Sequence, residues 1–318
     1  MITIPHLKSI NPPLVIFGSV NIDVVARLTR LPAPGETLHA LGAHLGLGGK
    51  GANQAVAAAR LGAAVVLAGR TGDDMFADYA RTALLHEGVN SDHLFRTRQD
   101  MTGLAMICTD AAGENSIAVA GGANMTMDES DVDRLAPLLA ANAIVLMQCE
   151  IPMGVILAAA RRIAGIGATL VLDPAPVPAA GLPDELFGLA SVMTPNETET
   201  ELLTGLRPHD ADSALEAARR LHARGLERAI VKLGARGVLF SDAGGHGFIP
   251  PFQVTAIDSV AAGDCFNGGL AVALSRGMEL GPATRFAAAC GALATTRKGA
   301  SEAAPTLAEV EALLAAQP

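Results

Sequence analysis

Near the C-terminus, in the stretch "DSVAAGDCFNGGLAVAL" from Asp258 to Leu274, the carboxylate Asp264 is surrounded by small residues. From Phe266 onward apolar residues recur at helical spacing, and Gly277 follows as a stop signal, so we predict a helix that begins near Ala262. Asp264 then lies in the first turn of this helix. An acid at that position either favours the helix dipole or accepts a proton in a reaction, and the stretch alone favours neither.

The residues before Asp264 leave the first amides of the predicted helix open. Ala261, Ala262 and Gly263 have no bulky side chains, and the amides of a first helical turn have no partner within the helix. Together with the helix dipole, they predict a site for an anion.

A second glycine-dense stretch, "GLGGKGANQAVAAARLGA" at 46–63, turns helical after its glycines. Its spacing satisfies the G-x-G-x-x-G pattern of dinucleotide-binding proteins, which leaves an oxidoreductase as one alternative. The preceding "LHALGAHL" lacks the β-branched residues of the strand that this pattern requires, and the Walker pattern fails at both ends. We therefore expect a flexible glycine turn that brings Lys50 and Asn53 close to a small polar ligand, or else a plain helix-initiating turn.

Other polar residues follow predicted strands or precede predicted helices. Glu150 ends "MQCE", and Asn196, Glu197 and Glu199 open the apolar helix of "TPNETETELLTG". Each acid is also explained as a charge at a helix N-terminus. The stretch "KLGARG" at 232–237 is typical of a hairpin turn or of backbone lying against a flat ligand.

Strands and helices alternate along the chain. Short β-rich runs lie at 14–18, 65–69, 144–148, 169–173 and 229–233, and helical segments lie at 53–61, 152–163 and 213–223. This alternation predicts an α/β protein with a mostly parallel sheet covered on both faces. Active sites in such sheets collect at the C-terminal ends of the strands.

Two segments, at about 20–47 and 95–123, break this alternation with glycine, threonine, asparagine and charge. They predict either surface hairpins or a small β lid over a site. No repeat or long linker occurs, so residues 1–318 are predicted to form one domain with a β excursion.

Composition excludes several classes of function. A net charge of −9, an aromatic fraction of 3% and the lack of Trp argue against nucleic-acid binding. The four cysteines are scattered singly in apolar surroundings and are predicted to be core thiols. The N-terminal "MITIPHLKSINPP" has no signal-peptide pattern and no apolar run is long enough to cross a bilayer, so we expect a cytoplasmic protein without membrane contact.

The motifs together resemble the ribokinase-like (phosphofructokinase-B type) carbohydrate kinase family. They run in family order from residue 18 to residue 300: "GSVNIDV", "PAPGET", "GGKGANQAVAAARLGA", "TGDD", "MQCE", "DPAP", "TPNETETELLTG", "KLGARG", "DSVAAGDCFNGGLAVAL" and "TRKGA". Each is weak alone, but their joint occurrence over nearly the whole chain is specific.

This resemblance implies a three-layer α/β/α sandwich with a β-sheet lid. It implies transfer of the γ-phosphoryl group of ATP to a sugar, with D-ribose and its 5-hydroxyl favoured and ribose 5-phosphate as product. Asp264 becomes the base, and the amides of Ala261, Ala262 and Gly263 become the anion hole. Phosphoryl transfer needs mainly positioning and electrostatic stabilisation, which agrees with these roles.

Family resemblance also implies the ligand sets. The sugar is assigned to Asn21, Asp23, Gly49, Lys50, Asn53, Glu150 and Asp264. ATP is assigned to Asn196, Lys232, Gly234, Ala235, Gly237, Gly263, Asp264 and Ala288, and Mg²⁺ acts through indirect contacts with Asn196 and Glu199. An activating K⁺ is assigned to Asp258, Val260, Ala294, Arg297, Gly299 and Ala303, mostly through carbonyl oxygens. A homodimer through the lid is expected as well.

Three positions depart from the family pattern. Ala303 stands where Ser is frequent, which bears on the need for K⁺, and Ala288 and Lys232 replace a polar residue and Thr near the nucleotide. The alternatives are another sugar or nucleoside kinase of the family, acting on deoxyribose, fructose or a nucleoside, and a non-catalytic sugar or nucleotide sensor.

Overall fold

Two β-sheets organise the protein, whose structure is a computed structural model that describes residues 14–111 and 114–317. The strands are β1 (Leu14–Phe17), β2 (Asn21–Arg27), β3 (Gly42–Gly48), β4 (Val65–Gly72), β5 (Asn90–Thr97), β6 (Gly103–Thr109), β7 (Asn115–Ala120), β8 (Ile144–Gln148), β9 (Thr169–Asp173), β10 (Val192–Met193), β11 (Arg228–Lys232), β12 (Val238–Asp242) and β13 (Gly245–Ile249). The helices are α1 (Lys50–Arg60), α2 (Met75–His86), α3 (Glu129–Leu135), α4 (Met153–Gly165), α5 (Asp184–Leu189), α6 (Glu197–Thr204), α7 (Ala211–Ala223), α8 (Ala262–Ser275), α9 (Leu280–Ala294) and α10 (Leu307–Ala316).

The larger sheet has the strand order β13-β12-β11-β10-β9-β8-β1-β4-β5. Every neighbouring pair from β11 to β5 is parallel, and β12 and β13 add an antiparallel edge. The predicted mostly parallel sheet is confirmed. Its central strands carry apolar residues on both faces because both faces are covered, and polar residues such as Gln148 and Asp173 stand at strand ends.

Alternate residues of β1 show how the layers form. Leu14 and Ile16 pack in one buried cluster with α1, α8 and α9. Val15 and Phe17 point to the other face, in a cluster with α4, α5 and α7. Side chains that alternate in this way between two apolar layers define a three-layer α/β/α sandwich, which confirms the predicted fold class.

The smaller sheet has the order β3-β2-β6-β7. Strand β2 pairs antiparallel with β3 and parallel with β6, and β6 forms an antiparallel pair with β7. Tyr79 of α2 donates a hydrogen bond to the carbonyl of Leu45 in β3, at 3.0 Å. This contact joins the small sheet to the large α/β layer.

The glycine-dense stretch folds differently from the predicted flexible turn. Strand β3 continues through Gly48, and the turn is confined to Gly49, which has φ of 86° and precedes α1. A Cβ on Gly49 would lie 2.7 Å from the backbone nitrogen of Asn21, so only glycine fits there. Because β3 belongs to the small sheet, the dinucleotide motif lacks its central strand.

The cysteines Cys149, Cys265 and Cys290 are free and buried, and Cys108 is free and half-buried in the small sheet. Within residues 14–111 and 114–317, no helix has the length and apolarity needed to cross a bilayer. The predicted lack of a signal peptide concerns residues that lie outside the described part of the chain.

Candidate active site

Helix α8 begins at Ala262, as the sequence predicts, and its start is unusual. Ala261 has φ of 56°, the one positive φ of a non-glycine residue in the described chain. A left-handed alanine costs about 1 kcal/mol, and such strain often marks a functional turn. No side chain caps the helix, and the amide of Ala262 donates a long bond of 3.3 Å to Ser259. The helix N-terminus is therefore open to an anion.

Asp264 is 5% exposed and is fixed by two amide side chains from α1. Asn53 Nδ2 donates to Oδ2 at 3.1 Å, and Gln54 Nε2 donates to Oδ1 at 3.0 Å. Lys50 Nζ lies 3.9 Å from Oδ1. Burial raises the pKa of Asp264 and Asp173 raises it further, whereas Lys50 and the two amides oppose the rise. The carboxylate is thus oriented and more basic than usual.

Asp173 is a buried carboxylate at the centre of the site, and it was not among the residues predicted from the sequence. It ends β9, next to Gln148 at the end of β8 in the parallel register. Gln54 Nε2 donates to Asp173 Oδ2 at 3.0 Å and accepts on its own oxygen a 2.7 Å bond from Gln148. Lys50 Nζ and Lys232 Nζ lie 3.8 and 3.6 Å from its two oxygens. The polar endings of "IVLMQ" and "TLVLD" were the available signal.

Lys50 holds its charge among these acids. Burial alone would lower the pKa of Lys50, but Asp264, Asp173 and Glu150 outweigh it and raise the pKa. The ammonium group therefore stays protonated and offsets the negative charge beside Asp264.

A polar cluster at the start of α1 contains other residues assigned to the sugar. Glu150 Oε2 accepts bonds from Ser19 Oγ at 2.6 Å and from the amide of Lys50 at 3.0 Å. Asn21 Oδ1 accepts from Asn124 Nδ2 at 2.8 Å. Neither Ser19 nor Asn124 was predicted: Ser19 lies in the quoted motif "GSVNIDV" but was not singled out there, and Asn124 lies outside the quoted motifs.

Asp23 lies beside this cluster on β2, close to Gly48 of the adjacent strand. A Cβ on Gly48 would meet Asp23 Oδ1 at 1.9 Å, so the glycine makes room for the carboxylate. Burial, followed by repulsion from Glu302, Glu150 and Asp264, raises the pKa of Asp23 to about 6. Asp23 therefore titrates near neutral pH.

A cavity of about 600 Å³ lies between the β11–β12 turn, the segment 249–263, and helices α8 and α9. This volume suits a small-molecule ligand. Seven residues assigned to ATP line it: Asn196, Lys232, Gly234, Ala235, Gly237, Gly263 and Ala288. Asp264 is not in the lining. Gly263, which lines the cavity, directly precedes Asp264 at the start of α8.

Asn196 and Glu199, assigned to Mg²⁺, bind each other. Asn196 caps α6 by accepting from the amide of Glu199 at 2.9 Å, and both oxygens of Glu199 accept from Asn196. Burial raises the pKa of Glu199. The charge of Lys232 opposes this rise, and the charge of Asp173 adds to it. With both oxygens engaged, this pair fits a hydrated Mg²⁺ held through water better than direct ligation.

Of the residues assigned to K⁺, the structure brings Asp258, Val260 and Gly299 into contact at the loop before α8. Asp258 accepts from the amide of Val260 at 3.0 Å and from the amide of Gly299 at 3.3 Å. Ala303 is fully buried and offers only backbone. Among the described residues no cluster of three His, Cys, Asp or Glu side chains has the arrangement of a metal site.

Fold and site together define a sugar kinase, and comparison with known proteins gives the same class. The model of the pfkB family carbohydrate kinases matches residues 12–307, and the chain belongs to this family. It is accordingly a phosphotransferase that acts on an alcohol group.

Individual relatives narrow the class. Ribokinase of Haemophilus influenzae is 42% identical over 296 residues, 93% of this chain and 96% of that protein. Deoxyribokinase of Salmonella typhi is 33% identical over 294 residues, 92% of this chain and 96% of that protein. The structure of Arabidopsis thaliana ribokinase complexed with ribose and ATP matches with a TM-score of 0.86 and 33% identity, over 95% of this chain and 98% of that chain. The chain is a ribokinase-like sugar kinase.

Proposed function

We propose that this chain transfers the γ-phosphoryl group of ATP to the 5-hydroxyl of D-ribose, with Asp264 as the base. The observation that carries the proposal is the position of Asp264. It is buried, held by Asn53 and Gln54, and lies in the first turn of a helix with no side-chain cap beside the nucleotide-sized cavity.

In the proposed reaction the sugar O5 attacks the γ-phosphorus while its proton passes to Asp264. The bond between the γ-phosphorus and the bridging oxygen breaks, and ADP leaves with the electron pair. The amides at Ala261, Ala262 and Gly263, of which that of Ala262 makes only a long 3.3 Å bond to Ser259, would stabilise negative charge on the moving phosphoryl oxygens. Asn196 and Glu199 would hold Mg²⁺ bound with ATP through water, and the ion would supply further charge neutralisation.

The sugar would lie among Asn21, Asp23, Gly49, Lys50, Asn53 and Glu150. Their donors and acceptors suit a polyhydroxylated ligand, because a site built to bind a hydroxyl rejects analogues that lack it. The experiment that tests the function is ATP consumption with a panel of pentoses, hexoses and nucleosides, with and without K⁺. Ribose should be turned over with the highest kcat/KM. A higher kcat/KM for deoxyribose, fructose or a nucleoside would identify that compound, and not ribose, as the substrate. Lack of turnover with every compound would favour the alternative function of a non-catalytic sensor.

The small sheet supports a proposed homodimer. Leu45 and Met106 are 41 and 49% exposed on one face of this sheet, and Ile117 and Val119 are 52 and 60% exposed on the other. An open sheet with exposed apolar residues and free strand edges is suited to pairing with a second copy. Light scattering should give the mass of a dimer, and a monomeric mass would reject the pairing. The single-domain boundaries, the lid segments at about 20–47 and 95–123, the K⁺ site and a cytoplasmic location stay predictions.

Gln54 should set both the position and the pKa of Asp264. We expect Gln54→Met to lower kcat by about 10- to 100-fold, because the base loses one of its two amide donors. Loss of a donor to the ionised form also raises the pKa of Asp264, so the acidic limb of the pH profile should move to higher pH. The steady-state rate with ribose, measured across pH, checks both effects.

Gln148→Met is the matched control for Gln54. Gln148 is as deeply buried and donates to Gln54, but it does not contact Asp264. Its substitution should change kcat less and leave the acidic limb in place. Equal pH profiles for the two variants would contradict a positioning role for Gln54.

Protonation of Asp23 should weaken ribose binding. With a pKa of about 6, Asp23 is mostly ionised at pH 7 and mostly protonated at pH 5. A sugar hydroxyl that donates to the ionised form then loses affinity as pH falls, by about tenfold over this range. Calorimetric titration of ribose against pH measures it. Asp23→Asn should bind more weakly with a flat profile, and a flat wild-type profile would contradict the assignment.

A further inference from the structure

Lys232 brings a positive charge to the nucleotide cavity. It ends β11, and its side chain is 13% exposed. Among the described residues that line the cavity, it is the one cation. Its Nζ lies 3.8 Å from the point that a Cβ on Gly263 would occupy. The ammonium group is therefore beside the first turn of α8, where the anion hole is proposed.

The ion pair of Lys232 is incomplete. Its Nζ lies 3.6 Å from Asp173 Oδ1, too far for a hydrogen bond. That oxygen is buried and has no hydrogen-bond partner in the described chain. Asp173 is also the one carboxylate within ion-pair distance of Lys232 among these residues.

Lys50 shares the same carboxylate and differs from Lys232 in one respect. Its Nζ lies 3.8 Å from Asp173 and 3.9 Å from Asp264, so two acids balance its charge. Within ion-pair distance Lys232 has only a share of Asp173, and Glu199 interacts with it from farther away. Lys232 is consequently the cation of the site whose charge is least compensated, and its flexible stem lets the ammonium group turn towards a new partner.

A triphosphate that enters this cavity brings several negative charges into a partly buried space. Such charge is stable there only with nearby cations and donors. The α8 amides supply donors, and Lys232 supplies the positive charge. We propose that Lys232 Nζ binds the terminal phosphate of the nucleotide and stays with it during transfer, with Asp173 as its counterion when no nucleotide is bound. The inference rests on the proposed function and adds a phosphate ligand to it.

The test compares nucleotides that differ in phosphate number. For Lys232→Met we expect the Kd of ATP to rise by about 10- to 100-fold, since a charge-assisted contact is lost. The Kd of ADP should rise less, and the Kd of adenosine should change by less than about twofold because adenosine has no phosphate. Lys232→Arg should retain much of the ATP affinity. Arg236→Met is the matched control, because Arg236 pairs with Glu197 near the cavity but does not line it.

A second variant separates binding from folding. Lys232→Met leaves Asp173 with less compensation, so the double variant Lys232→Met, Asp173→Asn restores the charge balance. This double variant should fold. Its Kd for ATP should still be raised relative to the wild type, while its Kd for adenosine should stay nearly unchanged. Equal losses for ATP and adenosine, or wild-type ATP affinity in the folded double variant, would overturn the proposal.

The role of Lys232 and the proposed kinase reaction can fail independently of each other. If the wild type phosphorylates sugars and Lys232→Met keeps the wild-type ratio of ATP to adenosine affinity, the inference fails and the kinase stands. If no sugar is phosphorylated while the ratio falls in Lys232→Met, the phosphate ligand stands and the proposed reaction fails.

Discussion

Asp264→Asn is expected to lower kcat with ribose and ATP by about 10³- to 10⁴-fold, the upper part of the range for loss of a general base. An amide has no lone pair basic enough to accept the O5 proton. Transition-state stabilisation by the α8 amides would remain, so a slow residual rate should persist. Coupled measurement of ADP release gives the rate.

The local geometry should survive this substitution. Asn53 Oδ1 is buried and has no hydrogen-bond partner in the described chain. Rotation of the Asn53 amide would let this oxygen accept from a new amide at position 264, while Gln54 continues to donate to the remaining oxygen. We therefore expect the Kd of ribose to change little, which calorimetry can measure.

A surface acid provides the control for Asp264. Glu185 is about half exposed and pairs with Arg161 far from the cavity lining. Glu185→Gln makes the same change from carboxylate to amide and should keep wild-type kcat. A near-normal kcat for Asp264→Asn would remove the base from the proposal, and a low kcat with lost ribose binding would indicate a structural role instead.

The fold followed from sequence because its signals are local. The run "LVIFG" is apolar at every position and "IVLMQ" at every position before Gln148, as expected of strands buried on both faces. The start of α8 was predictable for the same reason, since small residues, an early acid and a helical period lie next to one another in the chain.

The partners of Asp264 were harder to predict because they depend on contacts between distant segments. Gln54 lies 210 positions from Asp264 in the chain, and its amide joins Asp264 to Asp173 only once α1 packs against α8. The left-handed conformation of Ala261 gave no signal either, because turns of this kind normally select glycine. Sequence motifs thus pointed to Asp264 as the proposed base, and tertiary packing supplied the side chains that contact it.

The same limit applies to an ion-pair cluster beneath the small sheet. Arg70 is an arginine inside β4 and is 6% exposed. Its guanidinium lies 2.8 Å from Asp131 and 3.0 Å from Asp128 at the start of α3, and it donates to the carbonyl of Thr126. Arg70 therefore joins the central sheet to the segment that follows β7.

Arg70→Met is expected to lower the free energy of unfolding by about 3 to 5 kcal/mol. The substitution leaves Asp131, which is 2% exposed, as a buried carboxylate whose remaining cation, Arg134, is partly exposed. Urea unfolding followed by circular dichroism measures the change.

Arg161→Met, which breaks the exposed pair with Glu185, should cost no more than about 1 kcal/mol. An equal loss of unfolding free energy in Arg70→Met and Arg161→Met would mean that the buried Arg70 cluster stabilises the fold no more than an exposed ion pair does. Recovery in the double variant Arg70→Met, Asp131→Leu would instead assign the loss to the unpaired buried charge, because an apolar pair can replace a buried ion pair at little cost.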